Sequence, residues 1–170
     1  MAELIYPASS TSDYQAFGRL VTEYVGWCRE RYQDDEWFVD RVFGHQSLES
    51  ELKILATTYG PPKGKTLLAK REGQVCGAGA YHRLEDGTCE MKRLFVCGTF
   101  QGQGIGRRLC AALIESAKSD GYDLMRLDTA NRLTEAIGMY RSFGFEICKP
   151  YKNYPDELMP YLAFMELRLR

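Results

Sequence analysis

The stretch CEMKRLFVCGTFQGQGIGRR, Cys89 to Arg108, decides how the rest of the chain is read. From Thr88 to Val96 it is rich in strand formers, with no Gly or Pro to interrupt them. Glycines then fall at positions 102, 104 and 106. Ile105, Leu109, Leu113 and Ile114 follow at helical spacing, with Ala111, Ala112 and Ala117 among them. The pattern is a strand, a short crossing and a glycine-rich turn that opens a helix. Such a turn exposes consecutive backbone N–H groups. The new helix adds its own unpaired N–H groups and the positive end of its dipole. Together they make an anion-binding concavity suited to a phosphate or diphosphate. Arg107 and Arg108 add local positive charge.

Two familiar phosphate motifs fit poorly. The dinucleotide fingerprint needs G-x-G-x-x-G; Gly102 and Gly104 fit, but Arg107 stands at the third glycine. Asp128 imitates the ribose-binding acid that such a site carries further on. The Walker A motif needs G-x-x-x-x-G-K-[ST]; Gly64-Lys65-Thr66 matches its end, but Tyr59 occupies the first glycine position. That segment reads better as the entry to a strand.

A third pattern fits. Gln101, Gly104 and Gly106 match Q/R-x-x-G-x-G/A, and the later segment AIGMYRSFGFEI, Ala136 to Ile147, matches A-x-x-x-Y-x-x-x-G-F through Ala136, Tyr140, Gly144 and Phe145. With these two motifs in this order and a strand between them, the chain resembles the GNAT superfamily of N-acetyltransferases. The resemblance is good over residues 65–150 and weak in the N-terminal third. It implies one GNAT domain over 1–170, of α/β (α+β mixed-sheet) class, an antiparallel meander followed by parallel strand-helix crossovers. It implies acetyl-CoA as acyl donor, with Gln101, Gly102, Gln103, Gly104, Ile105, Gly106 and Arg107 around its pyrophosphate. In relatives the strand pair at 88–96 and 124–129 splays apart, and the pantetheine arm pairs with the backbone of Leu94, Phe95 and Val96, which also offers an N–H to the oxyanion. Tyr140 matches the tyrosine that protonates the leaving sulfur. Many relatives carry Asn seven positions before it; here that residue is Leu133, and Asn131 is off register.

Composition bounds the rest. A chain of 170 residues can bury one substantial core. A formal net charge of −1 suggests neither a nucleic-acid coat nor a membrane-surface binder. No apolar run reaches transmembrane length, and MAELIYPASSTSD lacks a basic region followed by an apolar block, so a cytoplasmic enzyme is expected. The six cysteines form no C-x-x-C pair and only two histidines are present, so no metal site is expected. Reduced core thiols are the natural reading, although Cys76 and Cys89 are conceivable partners across a hairpin.

In chain order, Glu3 to Pro7 reads as an edge strand, and Ser9 to Asp13 offers helix caps. Phe17, Leu20, Val21, Tyr24, Val25 and Cys28 recur at helical spacing. Tyr24, Trp27 and Tyr32 are candidates to line an acceptor site. One or two helices follow within Trp37 to Leu55, with His45 between them in a surface or capping role. Lys65–Glu72 and Gln74–Arg83 read as strands, with Gly77 and Gly79 allowing a bulge or a close backbone approach. His82 lies near a strand end, a surface residue unless it faces the cleft. A strand at Leu124–Thr129, a helix at Arg132–Phe143, a strand from Phe145 to Lys149, a loop over Pro150–Pro160 and a strand at Tyr161–Leu169 complete the chain.

Acetyl transfer needs a neutral amine, a donor for the oxyanion, an acid for the departing sulfur and two substrates held in register. Glu90, on the central strand, is the candidate general base, directly or through water; its alternative is an exposed carboxylate paired with Lys92 or Arg93. Tyr140 is the candidate acid, and its alternative is a core aromatic. The acceptor is expected to be an amine on a small molecule or peptide, and Lys92 and Arg93 could favour an acidic one. Tyr161, Leu162, Phe164 and Met165 permit a homodimer through the C-terminal strand. Three other readings stand beside this one: transfer of another acyl group or to a hydroxyl, a non-catalytic CoA-binding regulatory module, and, more remotely, a nucleotide-binding protein with a ribose site at Asp128.

Overall fold

A computed structural model describes residues 3–170; the first two residues of the stretch read above for a leader lie outside it. The elements run β1 (Leu4–Pro7), α1 (Thr11–Arg31), α2 (Glu36–His45), α3 (Leu48–Leu52), α4 (Leu55–Tyr59), β2 (Gly64–Arg71), β3 (Gln74–Glu85), β4 (Thr88–Val96), α5 (Ile105–Ser119), β5 (Leu124–Ala130), α6 (Thr134–Ser142), β6 (Glu146–Ile147) and β7 (Leu162–Arg168). One mixed sheet carries the strands in the order β1-β2-β3-β4-β5-β7-β6.

β1 to β4 form the expected antiparallel meander. α5 then crosses over, and β5 lies parallel to β4. The apolar stripe of α5 (Ile105, Leu109, Cys110, Leu113, Ile114, Ala117) is buried, as is that of α1. α1 opens on a capping box, in which the Ser10 side chain accepts from the Asp13 N–H and Asp13 accepts from the Ser10 N–H. Gly77 and Gly79 let α5 approach β3: a Cβ at Gly79 would lie 2.7 Å from Leu113 Cδ1, and one at Gly77 3.0 Å from Leu109 Cδ1.

The second crossover, through α6, brings β6 parallel to β5. β6 does not pair with β5; β7 inserts antiparallel to both, between them. β6 is two residues long rather than five, because its ladder stops where Pro150, without an N–H, ends the extended run. β7 is therefore interior; Phe164 and Met165 are buried in this chain's own core, and Tyr161 and Leu162 are half-buried. Cys76 and Cys89 are not opposed: Cys89 faces Arg83 across the β3–β4 ladder, and Cys76 O accepts from the Cys97 N–H. All six thiols are free.

A second, smaller hydrophobic core joins the end of α1 (Cys28, Tyr32), α2 (Phe38, Val39, Val42), Leu133 and the loop before β7 (Tyr154, Leu158). Its residues also wall the pocket described next.

Candidate active site

β4 departs from regular pairing at one point. Between Ala78 and Ala80 on β3, β4 advances from Phe95 to Lys92, one residue too many, which is a bulge. Arg93 sits in it with φ of 58°, a conformation that costs a non-glycine residue energy and needs external support. That support is Glu51. Arg93 donates to it through Nε (3.1 Å) and Nη2 (2.8 Å), and the guanidinium lies over the Phe43 ring. Tyr59 donates to the same carboxylate at 2.6 Å. Burial would raise the Glu51 pKa, but the Arg93 pairing outweighs it and holds the carboxyl below the usual range.

The β4–β5 ladder runs only from Thr88↔Leu124 to Glu90↔Arg126. Beyond it the strands part, leaving backbone groups of β4 facing a gap. Two pockets meet there. One is lined by Leu94, Phe95, Val96, Phe100, the turn at 101–107, and Trp27, Ala136 and Met139. The other lies beneath α2 and is lined by Phe38, Val39, Val42, Phe43, Lys92 and Asp128, among others. Tyr24, Leu94, Thr129 and Tyr140 belong to both.

The first pocket includes the glycine turn and the start of α5. Gly104, at φ of 78°, is the N-cap of α5, and no side chain caps that helix. Its first-turn N–H groups therefore remain available to an anion. Gln101 donates to Val96 O at 2.9 Å, so its side chain fastens the turn to the strand end. Gln103 bonds Arg71 and the Thr99 carbonyl and does not line the pocket, unlike the other turn residues of the expected set. Arg107 lines it while donating to Ser142 Oγ at 2.6 Å and lying over Phe143. An ion pair from Arg31 to Glu135, at 2.6 Å, joins α1 to α6 beside this cleft.

Tyr140 is buried at the junction. Burial, then the neighbouring Cys110 and Asp128, push its hydroxyl well above the ordinary phenol value, so it stays protonated. Glu90 is not the exposed carboxylate of its alternative reading. It is 1% exposed and contacts neither Lys92 nor Arg93. His82 Nε2 lies 3.0 Å from one oxygen; Tyr151 Oη and Lys152 Nζ each lie 2.7 Å from the other. Burial alone would raise its pKa, but the His82 hydrogen bond and the charges of Lys92 and Lys152 hold it far below the usual range. Glu90 lines neither pocket.

The Pro150–Pro160 loop is fastened through the same network. Lys152 also reaches Asp128 (3.3 Å), Tyr154 donates to Asp128 (2.5 Å), and Gln46 Nε2 donates to Tyr154 Oη (2.8 Å). Asp128 is thus occupied within the protein and does not present a ribose-binding carboxylate. His45 is exposed, as expected; it hydrogen-bonds Asn153 O at 2.9 Å, and its ring lies tilted against that of Tyr154. His82 faces Glu90 rather than solvent. Tyr24 and Tyr32 do line the α2 pocket, whereas Trp27 lines the donor cleft. The residues that sequence reasoning missed are those of α2 and Gln46; the recurrence of Phe38, Val39, Val42 and Phe43 along one helix was the available signal.

Residues 23–145 match the model of the acetyltransferase (GNAT) family. The chain belongs to that family. It is 35% identical, over 92% of its length and 89% of the other's, to an uncharacterized N-acetyltransferase of Schizosaccharomyces pombe. It is also 35% identical, over 75% of its length and 84% of the other's, to an IAA acetyltransferase of Azospirillum brasilense. Among solved structures, a GNAT family acetyltransferase from Staphylococcus aureus superposes with a TM-score of 0.74 at 18% identity, covering 99% of this chain and 100% of that one. The PaiA N-acetyltransferase from Thermoplasma acidophilum, in complex with coenzyme A, superposes with a TM-score of 0.71 at 16% identity, covering 99% of each chain. The fold is therefore that of GNAT acyltransferases. No helix among the described residues is long and apolar enough to cross a membrane.

Proposed function

We propose that this GNAT protein transfers an acetyl group from acetyl-CoA to a primary amine by direct attack within a ternary complex. The observation that carries the reading is the meeting of the two pockets at Tyr140, where the β4–β5 ladder has opened. The uncapped start of α5 would take the donor's diphosphate, and the free β4 backbone near Leu94 and Val96 would take the pantetheine arm and offer an N–H to the oxyanion. Proteins of the same fold are known with coenzyme A bound, PaiA from Thermoplasma acidophilum, and with acetyl-CoA bound, a GNAT family protein from Elizabethkingia anophelis, which supports the class of donor.

The amine reaches the site as an ammonium and loses one proton before it attacks. The neutral amine adds to the thioester carbonyl, the C–N bond forms and the carbonyl oxygen becomes an oxyanion. As the oxyanion re-forms the carbonyl the C–S bond breaks, and the nitrogen gives its second proton to water. The sulfur leaves as a thiolate and takes a proton from the neutral Tyr140 hydroxyl. Glu90, held charged by His82, Tyr151 and Lys152 and away from both pockets, is placed in this reading to act through a water rather than by direct contact with the amine. A hydroxyl acceptor would need a stronger base than any group seen here at the junction.

The test is release of free CoA thiol across a panel of amines with acetyl-CoA as donor. Tyr140→Phe is expected to lower kcat by about 10²-fold or more while leaving acetyl-CoA affinity nearly unchanged. Equal loss of both, or no loss, overturns the acid role. Tight acetyl-CoA binding without transfer to any amine would favour a CoA-binding regulatory module.

A further inference from the structure

Where the β4–β5 ladder ends, at Glu90↔Arg126, the sheet divides into two halves. One carries α1, packed on β3 and β4; the other carries α6, which follows β5. Two ion pairs rejoin the halves there, and they are reciprocal. Arg31, the last residue of α1, donates through Nη2 to Glu135 Oε1 at 2.6 Å. Arg132, just before α6, reaches back to Asp35, the N-cap of α2, at 2.7 Å. Each guanidinium also lies over a ring, Arg31 over Trp27 and Arg132 over Tyr32.

The first pair is placed where its charges are favoured. Arg31 is in the last turn of α1 and Glu135 in the first turn of α6, so each helix dipole supports the charge at its own end. The hydrogen bond from Arg31 holds the Glu135 carboxyl below its usual range, so the pair is charged at neutral pH. Both residues line the donor cleft, with Trp27 from α1 and Ala136 and Met139 from α6. Their side chains are 37% and 67% exposed, which puts the pair at the rim of the cleft and not on its floor. A pair this open to water is weak, and it breaks and re-forms readily. Leu133, by contrast, is buried in the second core with Cys28 and Tyr32 and seats the start of α6. The two side chains can therefore part while the helices stay in place.

Resting on the reading of this cleft as the acetyl-CoA site, we infer that Arg31 and Glu135 form a clasp across its rim, which parts to let the donor in and coenzyme A out and so sets the rate of passage. Arg132 and Asp35 hold the same corner from behind. A clasp made between two protein groups acts on entry and exit alike. It changes both rates and leaves affinity nearly as it was.

Stopped-flow association and dissociation of coenzyme A test this. Glu135→Gln is the decisive variant, because removing a carboxylate beside an anionic ligand would by itself tighten binding and slow release. With a clasp, release and entry both quicken by about 3-fold or more, within what an exposed pair commands, and Kd moves by less than about 2-fold. Arg31→Met should do the same. The double variant Arg31→Glu with Glu135→Arg should return both rates toward those of the wild type. Slower release from Glu135→Gln, or a loss of affinity in Arg31→Met that the double variant does not repair, would mean that Arg31 holds the donor directly, and overturns the clasp. Unchanged rates in all three variants overturn it as well and leave acetyl transfer standing. If the wild type binds no coenzyme A, the donor-site reading falls and the clasp falls with it.

Discussion

At the scale of single residues, Gly104 and Glu90 show how a side chain's neighbourhood decides its use. Gly104 is at φ of 78°, and a Cβ there would come within 2.8 Å of Arg108 Nη1. The arginine end can move aside, but the backbone angle cannot be relieved so cheaply. An L-residue pays about 1–2 kcal/mol in the left-handed region. Gly104→Val should therefore tilt the first turn of α5 and weaken acetyl-CoA binding by about 10-fold, a free-energy loss within that range. Isothermal calorimetry measures it, and an unchanged affinity would remove that turn from the donor site. Glu90 was legible as a carboxylate on the central strand. That three donors would converge on it was not, because Tyr151 and Lys152 arrive from 61 and 62 positions away.

At the scale of elements, the β4 bulge is what opens the sheet, and a buried ion pair holds it. The Arg93 and Glu51 side chains are only 4% and 11% exposed. Removing one member leaves the other charged and unpaired, a loss of about 3–5 kcal/mol. Glu51→Ala should lower the unfolding free energy by an amount in that range, read as a lower denaturant midpoint at unchanged slope, and reduce turnover with it, since Leu94 would lose its place in the gap. A variant with unaltered midpoint would show that the bulge does not depend on α3. Strands, turns and the long helices were readable from periodicity and glycines. The insertion of β7 between β5 and β6 was not, because two short apolar runs carry no mark of which one pairs with β5.

At the scale of the whole molecule, the network of His82, Glu90, Lys152, Asp128, Tyr154 and Gln46 ties the Pro150–Pro160 loop to the sheet and to α2. Its dependence on pH has a definite sign. The folded pKa of Glu90 is depressed below the value near 4.3 expected of an unfolded chain. Its contribution to stability is thus complete above that value and is lost as pH falls through the folded pKa. Glu90→Gln should be less stable than the parent at pH 7, and the gap should shrink on acidification below about 4.3. Thermal melts across that range measure it; a gap that widens instead would mean the carboxylate is not held charged.

The cleft at the glycine turn could be read from the chain alone. A strand, a glycine turn and an uncapped helix start are contiguous, and their chemistry is backbone chemistry that local sequence dictates. The tyrosine motif that faces it is equally local. The pocket beneath α2 was decided only by tertiary structure. Its walls and polar groups come from α1, α2, β4, β5 and the loop before β7, and Gln46 meets Tyr154 across 108 positions. Which of Lys92, Arg93, Glu90 and Asp128 is left to act on a ligand depends on which partners reach each one in space, and no spacing along a chain records that.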